Sequence, residues 1–302
     1  MFPTLTHHPR ALAILTLLVV AAPQLAAAPQ GAGKVEPRSY FFEDAKKDIE
    51  YALFVPTSYA KDKPAPLVVL LHGLGSNPKQ VIGYEGITAE AEKRGYIVVA
   101  PYGYNSRGWY GSRGQGKDGP YFGTKADPDN LGALSQQDVM NVLGLVREEF
   151  RVDEDRIYLM GHSMGGAGTV HLGATYPELW AGLAPLAPAL DQKISRLEAL
   201  KHISVHMVTG DADRLVSVKM VRTWVEQMRK LEMDHTYVEI AGGDHVLAIT
   251  RNAKMIAGVF DFFDAKRRKP VAKVDATPAG EKSESKAPAP TPARTKAKRS
   301  AT

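Results

Sequence analysis

The chain has 302 residues, 44% of them hydrophobic, and no cysteine. It can therefore bury one sizeable core, while disulfide staples, thiolate metal sites and a cysteine nucleophile are excluded. The net charge of +5 is unevenly spread, because residues 265–302 hold 11 of the 38 basic side chains and 3 of the 33 acidic ones. Without that segment and Arg10, 26 basic residues face 30 acidic ones, so the body offers no electrostatic footprint for nucleic acid and no nucleic acid substrate is expected.

The N-terminus carries Arg10, an apolar run from Ala11 to Ala22 and small residues at Ala26, Ala27 and Ala28. This is the layout of a secretory signal peptide, assigned to residues 1–28, with the cut near Ala26 to Ala32 and Pro29 awkward beside it. The run of about a dozen residues is short of the roughly 20 that span a bilayer. The expected localisation is secreted or periplasmic, the alternative being an uncleaved N-terminal anchor.

Residues 29–264 form one folded domain in this reading. Apolar strand-like runs alternate with helical patterns, which predicts an α/β fold with a mostly parallel central sheet and helices on both faces. An early pair, Tyr40 to Phe42 and Ile49 to Val55, opens the sheet antiparallel. Leu67 to Leu71, Tyr96 to Ala100, Ile157 to Met160, Leu183 to Leu186, Ile203 to Val208 and Thr236 to Ile240 follow as buried parallel strands. Helical spacing predicts helices over Ser135 to Phe150, with Ser135 as N-cap, over Val218 to Leu231 and from about Asn252 to Asp264.

Pro101 to Gly132 fits neither period, and its glycines are mixed with Tyr102, Tyr104, Trp109, Tyr110, Tyr121 and Phe122. A loop of that length is either one wall of a substrate cleft or a structural surface loop. In the first reading Trp109 and Tyr110 contact substrate.

Gly161-His162-Ser163-Met164-Gly165 lies directly after one strand and before a helix running to about Tyr176. This is the G-x-S-x-G elbow in its required context. A strained turn lifts the Ser163 hydroxyl above the sheet edge, Gly161 and Gly165 supply room, and Gly166 and Gly168 allow close helix packing. A serine hydroxyl needs an adjacent base, and the base needs a carboxylate that fixes its tautomer. Asp211 and Asp213 follow one later strand, and Gly242-Gly243-Asp244-His245 follows the next. That is the chain order Ser, acid, His, with either aspartate available and His245 as general base. For the oxyanion, His72-Gly73-Leu74-Gly75 after Leu71 offers the Leu74 N–H, and the elbow helix offers that of Met164. His162 either lines the pocket or packs, while His171, His202 and His206 read as structural. No HExxH, Walker loop or G-x-G-x-x-G occurs, so no metal or other cofactor is expected.

With these residues the chain resembles the α/β-hydrolase superfamily. It is similar in particular to exported esterases grouped with feruloyl esterases, acetylxylan esterases and polyhydroxyalkanoate depolymerases, and to prolyl-oligopeptidase-like hydrolases. The resemblance spans about Ile49 to Phe263. It is most specific from Asp155-Arg156-Ile157-Tyr158 through Gly161-His162-Ser163-Met164-Gly165-Gly166. The family pattern G-x-x-D-x-x-V maps the acid to Asp213, between Gly210 and Val216. The resemblance implies a serine esterase acting through an acyl-enzyme on a small-molecule or polymer-linked ester. A peptidase or acyltransferase on the same fold is the alternative, and a non-catalytic binding module a more distant one. Residues 265–302, rich in Lys, Pro and Ala, have almost nothing to bury and read as a disordered basic tail, either plainly solvated or in weak contact with an anionic surface.

Overall fold

The structure, a computed structural model, describes residues 31–117 and 124–268. The expected leader, most of the basic tail, and Tyr121 and Phe122 of the aromatic loop lie outside the described residues. Eight strands form one sheet: β1 (Val35–Phe42), β2 (Lys47–Phe54), β3 (Ala65–Leu71), β4 (Ile97–Pro101), β5 (Val152–His162), β6 (Gly182–Leu186), β7 (Ser204–Gly210) and β8 (His235–Ile240). In space the order is β1-β2-β4-β3-β5-β6-β7-β8. β1 and β2 form the expected antiparallel hairpin and β2 runs antiparallel to β4, while every pairing from β4 through β8 is parallel.

The helices are α1 (Pro78–Ile82), α2 (Ile87–Arg94), α3 (Leu131–Glu149), α4 (Met164–Thr175), α5 (Leu197–Leu200), α6 (Val218–Lys230), α7 (Leu247–Thr250) and α8 (Ala253–Asp264). Successive side chains of a strand point to opposite faces, and in β3 both faces are covered. Leu67, Val69 and Leu71 pack in the layer with α3, α4 and α6, whereas Val68 and Leu70 pack in the layer with α1, α2 and α8. This double burial is why β3 reads as an uninterrupted Val and Leu run. In α6, Ser217 caps the first turn through the Met220 N–H, and Val221, Trp224, Val225 and Met228 face inward. In α8, Asn252 caps Met255, and Phe260 and Phe263 are enclosed. Each such apolar side chain contributes about 1.5–3 kcal/mol on burial.

Two local readings change. Ser135 does not cap α3. That helix begins at Leu131 after Asn130, because Leu131 and Leu134 extend the buried stripe one turn upstream. Ser135 is buried inside it, and its Oγ accepts the Tyr110 N–H at 3.0 Å. The segment between β3 and β4 carried no helix expectation, yet it forms α1, capped by the Asn77 side chain with Pro78 in the first turn, and α2, bounded by left-handed Gly86 and Gly95. α1 has only five residues, too few for a 3.6-residue period to stand out. Among the described residues, no helix is long and apolar enough to cross a membrane.

Candidate active site

The carboxyl ends of β3, β5, β7 and β8 converge, and the loops that follow them carry the polar cluster, as open parallel sheets commonly arrange it. Between β5 and α4, Ser163 has φ 57° and ψ −113°. That conformation costs a non-glycine residue on the order of 1–3 kcal/mol and persists only where its surroundings enforce it. The flanking glycines are obligatory for a different reason, namely close backbone approach. A Cβ on Gly161 would lie 2.3 Å from the Gly165 carbonyl oxygen, and one on Gly165 would lie 2.3 Å from that of Leu71. Backbone cannot yield by that amount.

Ser163 Oγ lies 2.8 Å from Nε2 of His245, although 82 positions separate them. His245 Nδ1 lies 2.6 Å from Asp213 Oδ2. A carboxylate can only accept, so Nδ1 carries the proton and Nε2 presents its lone pair to the Ser163 O–H. The second oxygen, Asp213 Oδ1, accepts the N–H groups of Leu215 and Val216, each at 2.8 Å. With its side chain wholly enclosed, Asp213 is satisfied on both oxygens. Asp211 is exposed and instead accepts the Gly242 N–H at 2.6 Å. The two aspartates that sequence spacing left open thus have separate positions, one on the imidazole and one on the backbone of the loop that carries it.

The loop after β3 runs beside the elbow, since a Cβ on Gly73 would stand 3.5 Å from Ser163 Cβ. Leu74 follows it, with 37% of its surface exposed. Met164 opens the first turn of α4, where amide hydrogens lack intrahelical partners. Neither the Leu74 nor the Met164 N–H finds an acceptor among the described residues. Enclosed His72 ties this loop to the next, its ring nitrogens facing the carbonyl oxygens of Tyr102 at 2.8 Å and Gly73 at 2.7 Å.

Trp109 and Tyr110 do not form an open cleft wall. Tyr110 is fully enclosed, donates its hydroxyl to the His72 carbonyl at 3.1 Å, and lies where a Cβ on Gly168 would come within 2.6 Å of its ring. Trp109 is 4% exposed and lies under the Arg113 guanidinium. Both have positive φ, which turns their side chains inward onto α3 and α4. A direct substrate contact by Tyr110 is therefore withdrawn. This segment braces the site from below, and buried Asp138 on α3 accepts the Tyr40 hydroxyl and the Gly103 N–H, both at 2.6 Å, to hold its start.

His162 is buried and lines no open surface. Its Nε2 lies 2.8 Å from the His245 carbonyl oxygen and its Nδ1 3.0 Å from the Tyr84 hydroxyl. Burial, with a smaller contribution from the neighbouring His245, pulls its pKa down to about 4. Burial does the same to His171 and His206, each to about 4. Sequence inspection missed Tyr84, since a tyrosine between two unrecognised short helices carries no pattern. Among the described residues, no group of three or more His, Cys, Asp or Glu side chains is placed to hold a metal ion.

A family model described as "Putative esterase" matches residues 43–254. The Nocardia uniformis subsp. tsuyamanensis protein named "Putative esterase NocK" is 28% identical over 163 residues, 53% of this chain and 43% of that protein. Feruloyl esterase B of Neurospora crassa is 28% identical over 141 residues, 45% of this chain and 43% of that protein. The match thus spans less than half the length of these two relatives. Among solved structures, an S-formylglutathione hydrolase from Agrobacterium tumefaciens superposes with TM-score 0.61 at 19% identity, over 80% of this chain and 98% of that one. At such identity the likeness speaks for the fold alone.

Proposed function

We propose, for a chain that belongs to the esterase family and is a serine hydrolase of the α/β-hydrolase fold, that Ser163 is the nucleophile, His245 the general acid and base, and Asp213 the carboxylate that orients His245. The reaction is hydrolysis of a carboxylic ester. His245 Nε2 takes the Ser163 proton as Oγ attacks the acyl carbon, and the Leu74 and Met164 N–H groups receive the oxyanion. Collapse expels the alcohol, protonated by His245, and leaves an ester on Ser163. Water then attacks that ester with His245 again as base, releasing the acid and restoring the hydroxyl. Asp213 stabilises the imidazolium that forms twice per cycle.

The observation that carries this reading is the unbroken hydrogen-bonded chain from Ser163 Oγ through both ring nitrogens of His245 to Asp213. For the substrate, the strongest support is the rim. Leu74, Leu215, Val246 and Leu247 are 37%, 74%, 46% and 59% exposed, and a groove of about 430 Å³ runs along Ala212, Arg214, Leu215, Asp244, His245 and Val246. Such a rim suits an ester with an apolar group on at least one side of the bond. Feruloyl, acetyl-sugar, S-acylglutathione and polyester substrates form the panel to assay. Preferential cleavage of acylated peptides would move the reading to a peptidase on the same chemistry. Export through residues 1–28 is part of the proposal, resting on the Arg10, Ala11–Ala22 and Ala26–Ala28 layout, as is weak contact of the basic tail with anionic surfaces. N-terminal sequencing of the extracytoplasmic fraction tests the export.

Ser163→Ala should fold like the parent and lose about 10⁴-fold or more in kcat on a short-chain aryl ester. Undiminished turnover by that variant would overturn the assignment.

A further inference from the structure

The loop carrying His245 is held from three directions by contacts outside the proton relay. From the β7 side, Asp211 accepts the Gly242 N–H at 2.6 Å and the Ala212 N–H donates to the Gly243 carbonyl at 3.0 Å. From the junction of α1 and α2, the Glu85 N–H donates to the Thr250 carbonyl at 3.0 Å, and a Cβ on Gly86 would stand 3.0 Å from Ala253 Cα. From the elbow, His162 reaches the carbonyl of His245 itself at 2.8 Å. Tyr84, from that same α1–α2 junction, closes the circuit by contacting the other side of the His162 ring at 3.0 Å.

The atoms leave little choice of protonation. A carbonyl oxygen only accepts, so His162 Nε2 must carry a proton. The neutral ring then has its lone pair on Nδ1, where the Tyr84 O–H donates. One planar side chain supplies a donor on one edge and an acceptor on the other, to the buried His245 backbone and the half-buried Tyr84. Few other residue types can do this. An aliphatic side chain would orphan the buried His245 carbonyl and release the Tyr84 hydroxyl from its ring partner. A lysine or arginine would bring a permanent charge beside the His245 ring, whose centroid is 5.1 Å from that of His162, and would oppose the imidazolium that must form during turnover.

We propose that His162, clamped by Tyr84, is a positioning residue for the general base. Its Nε2–H fixes the His245 backbone from the elbow side so that the imidazole stays aligned with Ser163 and Asp213. The inference rests on the hydrolase reading above. Asp213 restrains the ring alone; the carbonyl grip restrains the peptide from which the ring projects. A displacement of about 1 Å at a reacting group can lower rates by about 10²-fold.

The residue types separate the two contacts. Glutamine places an amide N–H four bonds from Cα, the distance of histidine Nε2, and can keep the His245 contact. Asparagine reaches only as far as Nδ1 and can keep the Tyr84 contact instead. On an aryl ester, His162→Asn and His162→Leu should lose about 10- to 100-fold in kcat with KM within about twofold. His162→Gln should recover most of that loss, and Tyr84→Phe, which deletes one hydroxyl, should lose about threefold to tenfold. Thermal midpoints and titration of reactive Ser163 with an organophosphate establish that equal numbers of folded sites are compared. Equal kcat in the Asn and Gln variants, retained kcat in the Leu variant, or a loss confined to KM would overturn the inference while leaving a dead Ser163→Ala variant unaffected. Should the His162 variants fail to fold, parent-like kcat in Tyr84→Phe overturns it. Absence of turnover in the unsubstituted protein would overturn the hydrolase reading itself.

Discussion

Acidification from pH 7 to pH 4 is expected to unfold this protein, and buried imidazoles set the steepness: burial also lowers the pKa of enclosed His72, and three others carry the magnitude. His162, His171 and His206 are each 7% exposed or less, and burial lowers each pKa from the ordinary 6.5 to about 4. Between these values the unfolded chain binds a proton at each site that the native state refuses. Stability is therefore fully present above pH 6.5 and falls as pH drops toward 4. Each pKa unit corresponds to about 1.4 kcal/mol, so each imidazole withdraws roughly 3 kcal/mol over the window and the three together roughly 10 kcal/mol. Total stabilities run to about 5–15 kcal/mol, so the acid limb alone approaches the whole. Urea unfolding at pH 7.5, 6.5, 5.5 and 4.5 measures the slope of free energy against pH, which is the number of protons taken up on unfolding. Uptake from these three should approach three near pH 5, with a further contribution of the same sign from His72, less the opposing contribution of Asp138. In His206→Gln, which removes one titrating group while retaining a polar partner for the Thr236 hydroxyl that now lies 2.6 Å from Nδ1, uptake should fall by about one. A flat profile between pH 6.5 and 4.5, or an unchanged slope in His206→Gln, would refute the reasoning.

Asp138 should act in the opposite sense. Burial raises its pKa from 3.8 to about 6, so the native state gains roughly 3 kcal/mol as pH falls through that window; Asp138→Asn should lose the gain and show a steeper acid limb in the same urea series. Asp213→Asn should lower kcat about 10⁴-fold by presenting the wrong imidazole tautomer to Ser163, whereas Asp211→Asn, which loosens only the Gly242 contact, should cost about tenfold or less, both read from ester kinetics. Gly165→Ala should destabilise by about 3 kcal/mol or more, because its Cβ meets two backbone carbonyl oxygens at 2.3 and 2.8 Å; a calorimetric Tm equal to the parent's would count against the elbow geometry.

Much of this architecture was legible before any coordinates. A strand buried on both faces must be continuously apolar, so β3 and β4 announce themselves, and so does the alternation of strands with helices that makes the sheet parallel. The elbow is similarly local: Gly161, Ser163 and Gly165 occupy one turn, and the constraint that selects them acts across that turn and the adjacent end of β3. The long amphipathic helices were legible for the same reason. The short α1 and α2 were not, and α3 began a turn earlier than Ser135 suggested because buried Leu131 and Leu134, with the Gly132 and Ala133 N–H groups donating to the Gly116 and Gln115 carbonyls, support that extra turn.

The aromatic segment after β4 marks the limit of composition as a guide. Tyr110 and Trp109 looked like cleft residues because they sit in an irregular, glycine-rich stretch, but positive backbone angles turn them inward onto α3 and α4, and no residue count encodes direction. Likewise, spacing supplied both Asp211 and Asp213 and could not say which one meets the imidazole. That assignment arises from how the β7 and β8 loops face each other, as does the contact of His162 with the His245 carbonyl. The linear chain by itself determined residue types, periods and strand order in sequence, because these depend on neighbours a few positions away. The meeting of Ser163, Asp213 and His245, and of Tyr84 with His162, was decided by tertiary structure, because sheet order and loop packing bring together atoms that the chain separates by tens of residues.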